Sequence, residues 1–195
     1  MKSKTCYVFL FDGYADWEPA LILATLNKYS VFSIYPFSVT GNSMQSMGGL
    51  QIQPTCSMKE INPDSADLIL LPGGDVWENG GNEEISPLLL EMSLRRKTIA
   101  AICGATILLA KLGLLDTISH TSNGLAYLEK LAHPYKGEKH YIHEPCVTDG
   151  NIITANGAAM IEFTISIIKK FEVADSKMRE KIYDLYKSGG MNNRF

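Results

Sequence analysis

Residues 98–106 read Thr-Ile-Ala-Ala-Ile-Cys-Gly-Ala-Thr, an apolar run that breaks at Cys103-Gly104 directly into small helix-compatible residues. A continuously apolar strand is what a parallel sheet covered on both faces requires. The chain after it predicts a helix over 104–112, closed by Gly113 as a C-terminal cap. Upstream lie a helical stretch over 85–96 and the strand-like run 66–71, stopped by Pro72-Gly73-Gly74. Further back, 41–58 with Gly41, Gly48, Gly49 and Pro54 predicts an irregular or β-hairpin excursion, and 32–39 a strand despite Pro36. The first strand is expected over 6–11, with a turn at Asp12-Gly13 and a helix capped by Asp16 that tolerates Pro19 in its first turn. Downstream, 152–154 reads as a strand and 160–171 as a helix. The segment 175–187 reads as an amphipathic helix with Met178, Ile182, Leu185 and Tyr186 on one face, ended by Gly189-Gly190. Alternating strands and helices of these lengths predict an α/β fold, a mostly parallel sheet with helices on both faces.

At 195 residues, 46% apolar and 20% charged, the chain has the composition of one globular domain, and general disorder is excluded. The net charge of −3 lacks the basic footprint of a nucleic-acid or acidic-membrane binder. A small-molecule partner is expected. Cys6, Cys56, Cys103 and Cys146 are at least 43 positions apart, which excludes a CxxC dithiol or zinc knuckle. The apolar stretch before Asp12 is too short for a signal sequence or a membrane span, so free thiols in a reducing cytoplasm are expected.

In a parallel sheet the loops after the strand ends share one edge, where ligands bind. Residues 13–18, 72–75 and 103–104 therefore meet. Cys103 at a helix N-terminus is expected to have a lowered pKa, like the nucleophile of a strand–helix elbow. An inert cysteine in a tight join is the bland alternative. Glu18 lies in the first turn of its helix, where it either stabilises the helix start or reaches the sulfur. Gly73 and Gly74 allow close backbone approach, and their N–H groups suit an oxyanion. His140 and His143 are three positions apart without a third ligand, so no metal site is expected. His120 precedes Thr121-Ser122-Asn123-Gly124, a further candidate loop on that edge.

Together FDGYADWE (11–18), ADLILLPGGD (66–75), AAICGAT (100–106) and VTDGNIITANG (147–157) resemble the ThiJ/PfpI superfamily over residues 5–171, by their order and spacing. The resemblance implies a flavodoxin-like, class I glutamine amidotransferase-like fold. It implies a reactive Cys103 on a strained elbow, a Glu18 carboxylate against its sulfur and an oxyanion site at the Gly74 and Gly104 amides, with Gly73 and Asn123 lining it. It also implies a homodimer that needs no cofactor, with residues 172–195 as a helical extension beyond the family core. Protease-like members follow the cysteine with a histidine, where Gly104 stands here. Deglycase-like members often carry one where Asn123 stands.

Two functions remain open from the sequence. One is a cofactor-free cysteine enzyme acting on a small carbonyl or amide substrate, glyoxalase-, deglycase- or amidase-like, with little peptidase activity. The other is an oxidative-stress sensor whose Cys103 becomes a sulfinate held by a protonated Glu18. In either, Glu18 is expected to have a raised pKa and Cys103 a lowered one.

Overall fold

The computed structural model describes residues 4–30 and 32–189. In chain order the elements are β1 (Lys4–Phe9), α1 (Trp17–Tyr29), β2 (Phe32–Ser38), β3 (Met44–Gln45), β4 (Gln51–Ile52), β5 (Cys56–Ser57), β6 (Leu68–Leu71), α2 (Ser86–Leu94), β7 (Thr98–Ile102), α3 (Ala105–Lys111), α4 (Leu125–Leu131), β8 (Cys146–Asp149), β9 (Ile152–Ala155), α5 (Met160–Lys170) and α6 (Ser176–Lys187). The main sheet has the order β5-β2-β1-β6-β7-β9-β8, parallel except for the β8–β9 pair. The central strands β6 and β7 are buried at every residue, which is why they read as unbroken apolar runs.

From β1 the chain steps one way to β2, and from β6 it steps the other way to β7. Right-handed crossovers then place α1 and α2 on opposite faces. The reversal of direction lies between β1 and β6, and that is where an open sheet leaves its crevice. The floor of this crevice is aromatic. Phe9, Phe11, Phe37 and Trp77 stack with ring centroids 5.3–6.0 Å apart, and the Trp77 indole N–H donates to the Pro72 carbonyl at 3.0 Å. The core thereby anchors the Pro72–Gly74 loop.

Several local expectations are corrected. Strand β1 stops at Phe9 because Leu10 leaves the ladder as the turn begins, its N–H still bonded to the Phe37 carbonyl. Within 41–58 the hairpin β3–β4 forms as expected, while Cys56–Ser57 joins the main sheet as an edge strand. Strand β8 and helix α4 were not read from the sequence. Asp16 does not cap α1: its carboxylate accepts the Gly48 N–H at 2.6 Å, tying the hairpin to the helix start. Asp175 does cap α6, accepting the Met178 N–H at 2.7 Å. Of the apolar face on α6, only Ile182 is buried, against α5, while Met178, Leu185 and Tyr186 stay largely exposed. Gly190 and the rest of the expected 172–195 extension up to the end lie outside the described residues.

Candidate active site

Cys103 takes a left-handed backbone (φ 60°) between β7 and α3. A residue with a Cβ is strained there by about 1–3 kcal/mol, so its surroundings must hold it. They do so through both its N–H and its carbonyl. The Cys103 N–H donates to the Ala155 carbonyl at 2.9 Å, and its own carbonyl accepts from the Thr106 hydroxyl at 2.7 Å. The Thr106 hydroxyl in turn lies 2.7 Å from that of Ser122. The elbow is thus fastened to β9 and to the 121–124 loop, and the sulfur projects over the crevice.

Glu18 sits in the first turn of α1 and is 1% exposed. Its Oε2 accepts the Gly73 N–H at 2.5 Å, and the Gly73 carbonyl accepts the Ala15 N–H at 2.9 Å, so the two loops are zipped together. The Cys103 thiol lies beside the same carboxylate, both packed against Gly73. Glycines leave the room for this. A Cβ on Gly73 would fall 2.6 Å from Cys103 Cβ and 2.8 Å from Glu18 Oε2, and one on Gly157 would fall 2.8 Å from the sulfur. Asn123 completes the ring: its Nδ2 donates to Cys103 Sγ at 3.3 Å and its Oδ1 accepts the Gly157 N–H at 2.9 Å.

Sequence matches agree with this geometry. Residues 4–170 match the DJ-1/PfpI family. The chain belongs to that family. It is 36% identical over 198 residues to the protein named "Uncharacterized protease YoaZ" of Bacillus subtilis, covering 96% of this chain and 93% of that one. Among solved structures, a DJ-1 superfamily protein of Agrobacterium tumefaciens matches with a TM-score of 0.88 and 31% identity, over 98% of this chain and 100% of that one. A thiJ/pfpI family protein of Bacillus anthracis matches with a TM-score of 0.88 and 35% identity, over 97% and 92%. The expected flavodoxin-like architecture is that of the DJ-1/PfpI fold.

The electrostatics meet one expectation and overturn another. Burial raises the Glu18 carboxyl to about 7, against the Gly73 N–H and the Cys103 thiol, which favour its charged form. The Cys103 thiol, expected to be lowered by the helix terminus, is raised to about 11. Burial is the main cause and the Glu18 charge adds to it, while the Asn123 amide and the Gly104 N–H pull the other way. The first proton lost near neutrality therefore comes from Glu18. The resting pair is a thiol beside a carboxylate, and both titrations belong to the pair.

The structure brings Cys103, Glu18, Gly73, Gly104 and Asn123 together. The Gly104 N–H lies close enough to the sulfur to favour its thiolate. Gly74 (φ 154°) has an N–H that meets no acceptor among the described residues. A side chain on Gly104 would begin 3.1 Å from the Gly74 carbonyl and from Trp77, so the indole crowds the position where protease-like members carry histidine. His120 does not reach the sulfur. Its Nδ1–H donates to the Ile118 carbonyl at 2.8 Å and its Nε2 accepts from the Tyr135 hydroxyl at 2.6 Å, and burial keeps it neutral. His140 and His143 join no metal-binding group among the described residues. Gly157 was missed, although it follows a strand, β9, that runs parallel to β7 and so ends on the same edge. Tyr127 and Glu78, hydrogen-bonded to each other at 2.9 Å near this ring, carried no motif that pointed to them.

Proposed function

We propose that this DJ-1/PfpI family member is a cofactor-free cysteine enzyme acting on small carbonyl or amide compounds. The observation that carries the reading is a left-handed Cys103 whose thiol faces the buried Glu18 carboxylate between two glycines that leave the sulfur open. A carboxylate ionising near pH 7 is well matched to take a thiol proton at physiological pH. In the proposed step the Cys103 proton passes to Glu18 as sulfur bonds to the carbonyl carbon. The carbonyl π pair moves to oxygen, which the Gly74 N–H meets, and Glu18 returns the proton there. With an amide, the expelled nitrogen needs a proton as well. Glu18 is the one acid beside the sulfur among the described residues, so cleavage of unactivated peptides stays at background despite the protease names of two relatives. The test is turnover of methylglyoxal and of a p-nitroanilide amide by the pure protein, lost in Cys103→Ser. Undiminished turnover in that variant overturns the reading, and brisk casein cleavage overturns its peptidase clause.

The second reading, a peroxide sensor, is favoured by the same buried Glu18, which when protonated can donate to a sulfinate. It consumes two peroxide molecules per thiol, giving Cys–SO₂H and two waters. Intact mass after peroxide, with no turnover of either substrate, would select it. We place the protein in a reducing compartment, a reading supported by its four free cysteines and by the absence, among the described residues, of a helix long and apolar enough to cross a membrane. The family resemblance supports a homodimer, which sedimentation would report as about twice the 21.5 kDa chain mass.

A further inference from the structure

We propose that Glu78 and Tyr127 select substrates at the mouth of the Cys103 site, admitting uncharged or cationic carbonyl compounds and turning away those that carry a carboxylate. This rests on the cysteine-enzyme reading above. The Tyr127 hydroxyl, on α4, donates to Glu78 Oε1 at 2.9 Å across to the short helical turn that follows Gly74. Asn123 donates to the sulfur at 3.3 Å, and both Asn123 and Cys103 act on the Tyr127 phenol, which places the Tyr127–Glu78 pair beside the reacting atom. Glu78 is exposed and held by Tyr127 rather than left to sweep through solvent. The buried Glu18 is the charge that acts on the sulfur itself, so Glu78 works on the incoming reagent at the mouth rather than on the thiol. The burial and Glu78 charge that raise the Tyr127 phenol keep it a neutral donor, able to turn its O–H toward an incoming carbonyl oxygen.

A substrate carboxylate entering this mouth meets like charge with no partner, which is how a site refuses a competitor. One partly screened unit charge at this range changes an approach rate by about threefold or more. The experiment compares iodoacetate with iodoacetamide, reagents alike in size and differing by one charge, by peptide-resolved labelling. Glu78→Gln should raise the iodoacetate-to-iodoacetamide ratio at Cys103 about threefold and leave it unchanged at Cys56 in the same digest. Tyr127→Phe, which releases Glu78, should move the Cys103 ratio in the same direction. High salt should narrow the gap in the wild type. An unchanged Cys103 ratio in Glu78→Gln, with labelling intact, overturns this assignment and leaves the cysteine-enzyme reading standing. A Cys103 that neither reagent labels overturns both.

Discussion

Cys146 begins the antiparallel edge strand β8, and Cys103 follows the central strand β7; burial holds both thiols at about 11. Their surroundings differ. The Cys146 thiol donates to the Ser166 hydroxyl at 3.3 Å from a regular strand backbone, and the nearby Glu162 is lowered by its Lys187 partner. Cys103 is bent into φ 60°, flanked by glycines, given a donor in Asn123 and faced with a carboxylate whose own pKa is pushed up. Thiol acidity does not separate the two residues. What separates them is the proton acceptor beside one of them and the strain spent to aim it, so the comparison teaches that a site here is a pair and its cradle.

The largest expected effect breaks the comparison outright. Cys103→Ser should reduce turnover by a factor of about 10³ or more, whereas Cys146→Ser should stay within about twofold, both read as kcat/KM on methylglyoxal. Next, Glu18→Gln keeps the Gly73 hydrogen bond and removes the base. Turnover at pH 8 should fall about a hundredfold while stoichiometric alkylation of Cys103 speeds up, because the charge that opposes the thiolate is gone. A structural role alone would slow both. Smaller still, Gly157→Ala places a methyl 2.8 Å from the sulfur and should slow Cys103 alkylation about tenfold, with Cys146 unaffected.

The smallest effect concerns stability. Glu18 binds its proton more tightly folded (about 7) than at its ordinary value of 4.5. Its contribution is therefore fully present below pH 4.5 and is lost as pH rises through 7. At 1.36 kcal/mol per unit, the loss by pH 8 is roughly 3 kcal/mol as an upper figure. Urea unfolding should find Glu18→Gln more stable than wild type by about 1–3 kcal/mol at pH 8 and nearly equal at pH 4. A site carboxylate that weakens the fold where it is ionised is what a functional, rather than structural, role predicts.

The mostly parallel α/β architecture was legible because β6 and β7 are buried on both faces and so left unbroken apolar runs, ended by Pro72-Gly73-Gly74 and by Cys103-Gly104. The short edge strands β5 and β8 were not, since a two- or four-residue strand with one partner leaves no periodic pattern. Parallel topology was enough to place Glu18 and Cys103 on one edge. The sign of the Cys103 shift was not legible: the helix terminus is local, but the burial that outweighs it comes from Glu18, Gly73 and Gly157, which distant segments bring beside the sulfur. Asp16 failed as a cap for a similar reason, drawn away by the Gly48 N–H of a hairpin 32 positions on. Tyr127 and Glu78 meet across 49 positions, which no motif spans.

The coupling of Cys103 to Glu18 is tested most directly by peptide-resolved iodoacetamide labelling across pH, in the wild type and in Glu18→Gln, with Cys146 as reference. The expected wild-type midpoints are about 11 at both cysteines, and Glu18→Gln should lower the Cys103 midpoint while leaving that of Cys146 in place. A Cys103 midpoint that does not move in Glu18→Gln, or one already below 7 in the wild type, would contradict the account.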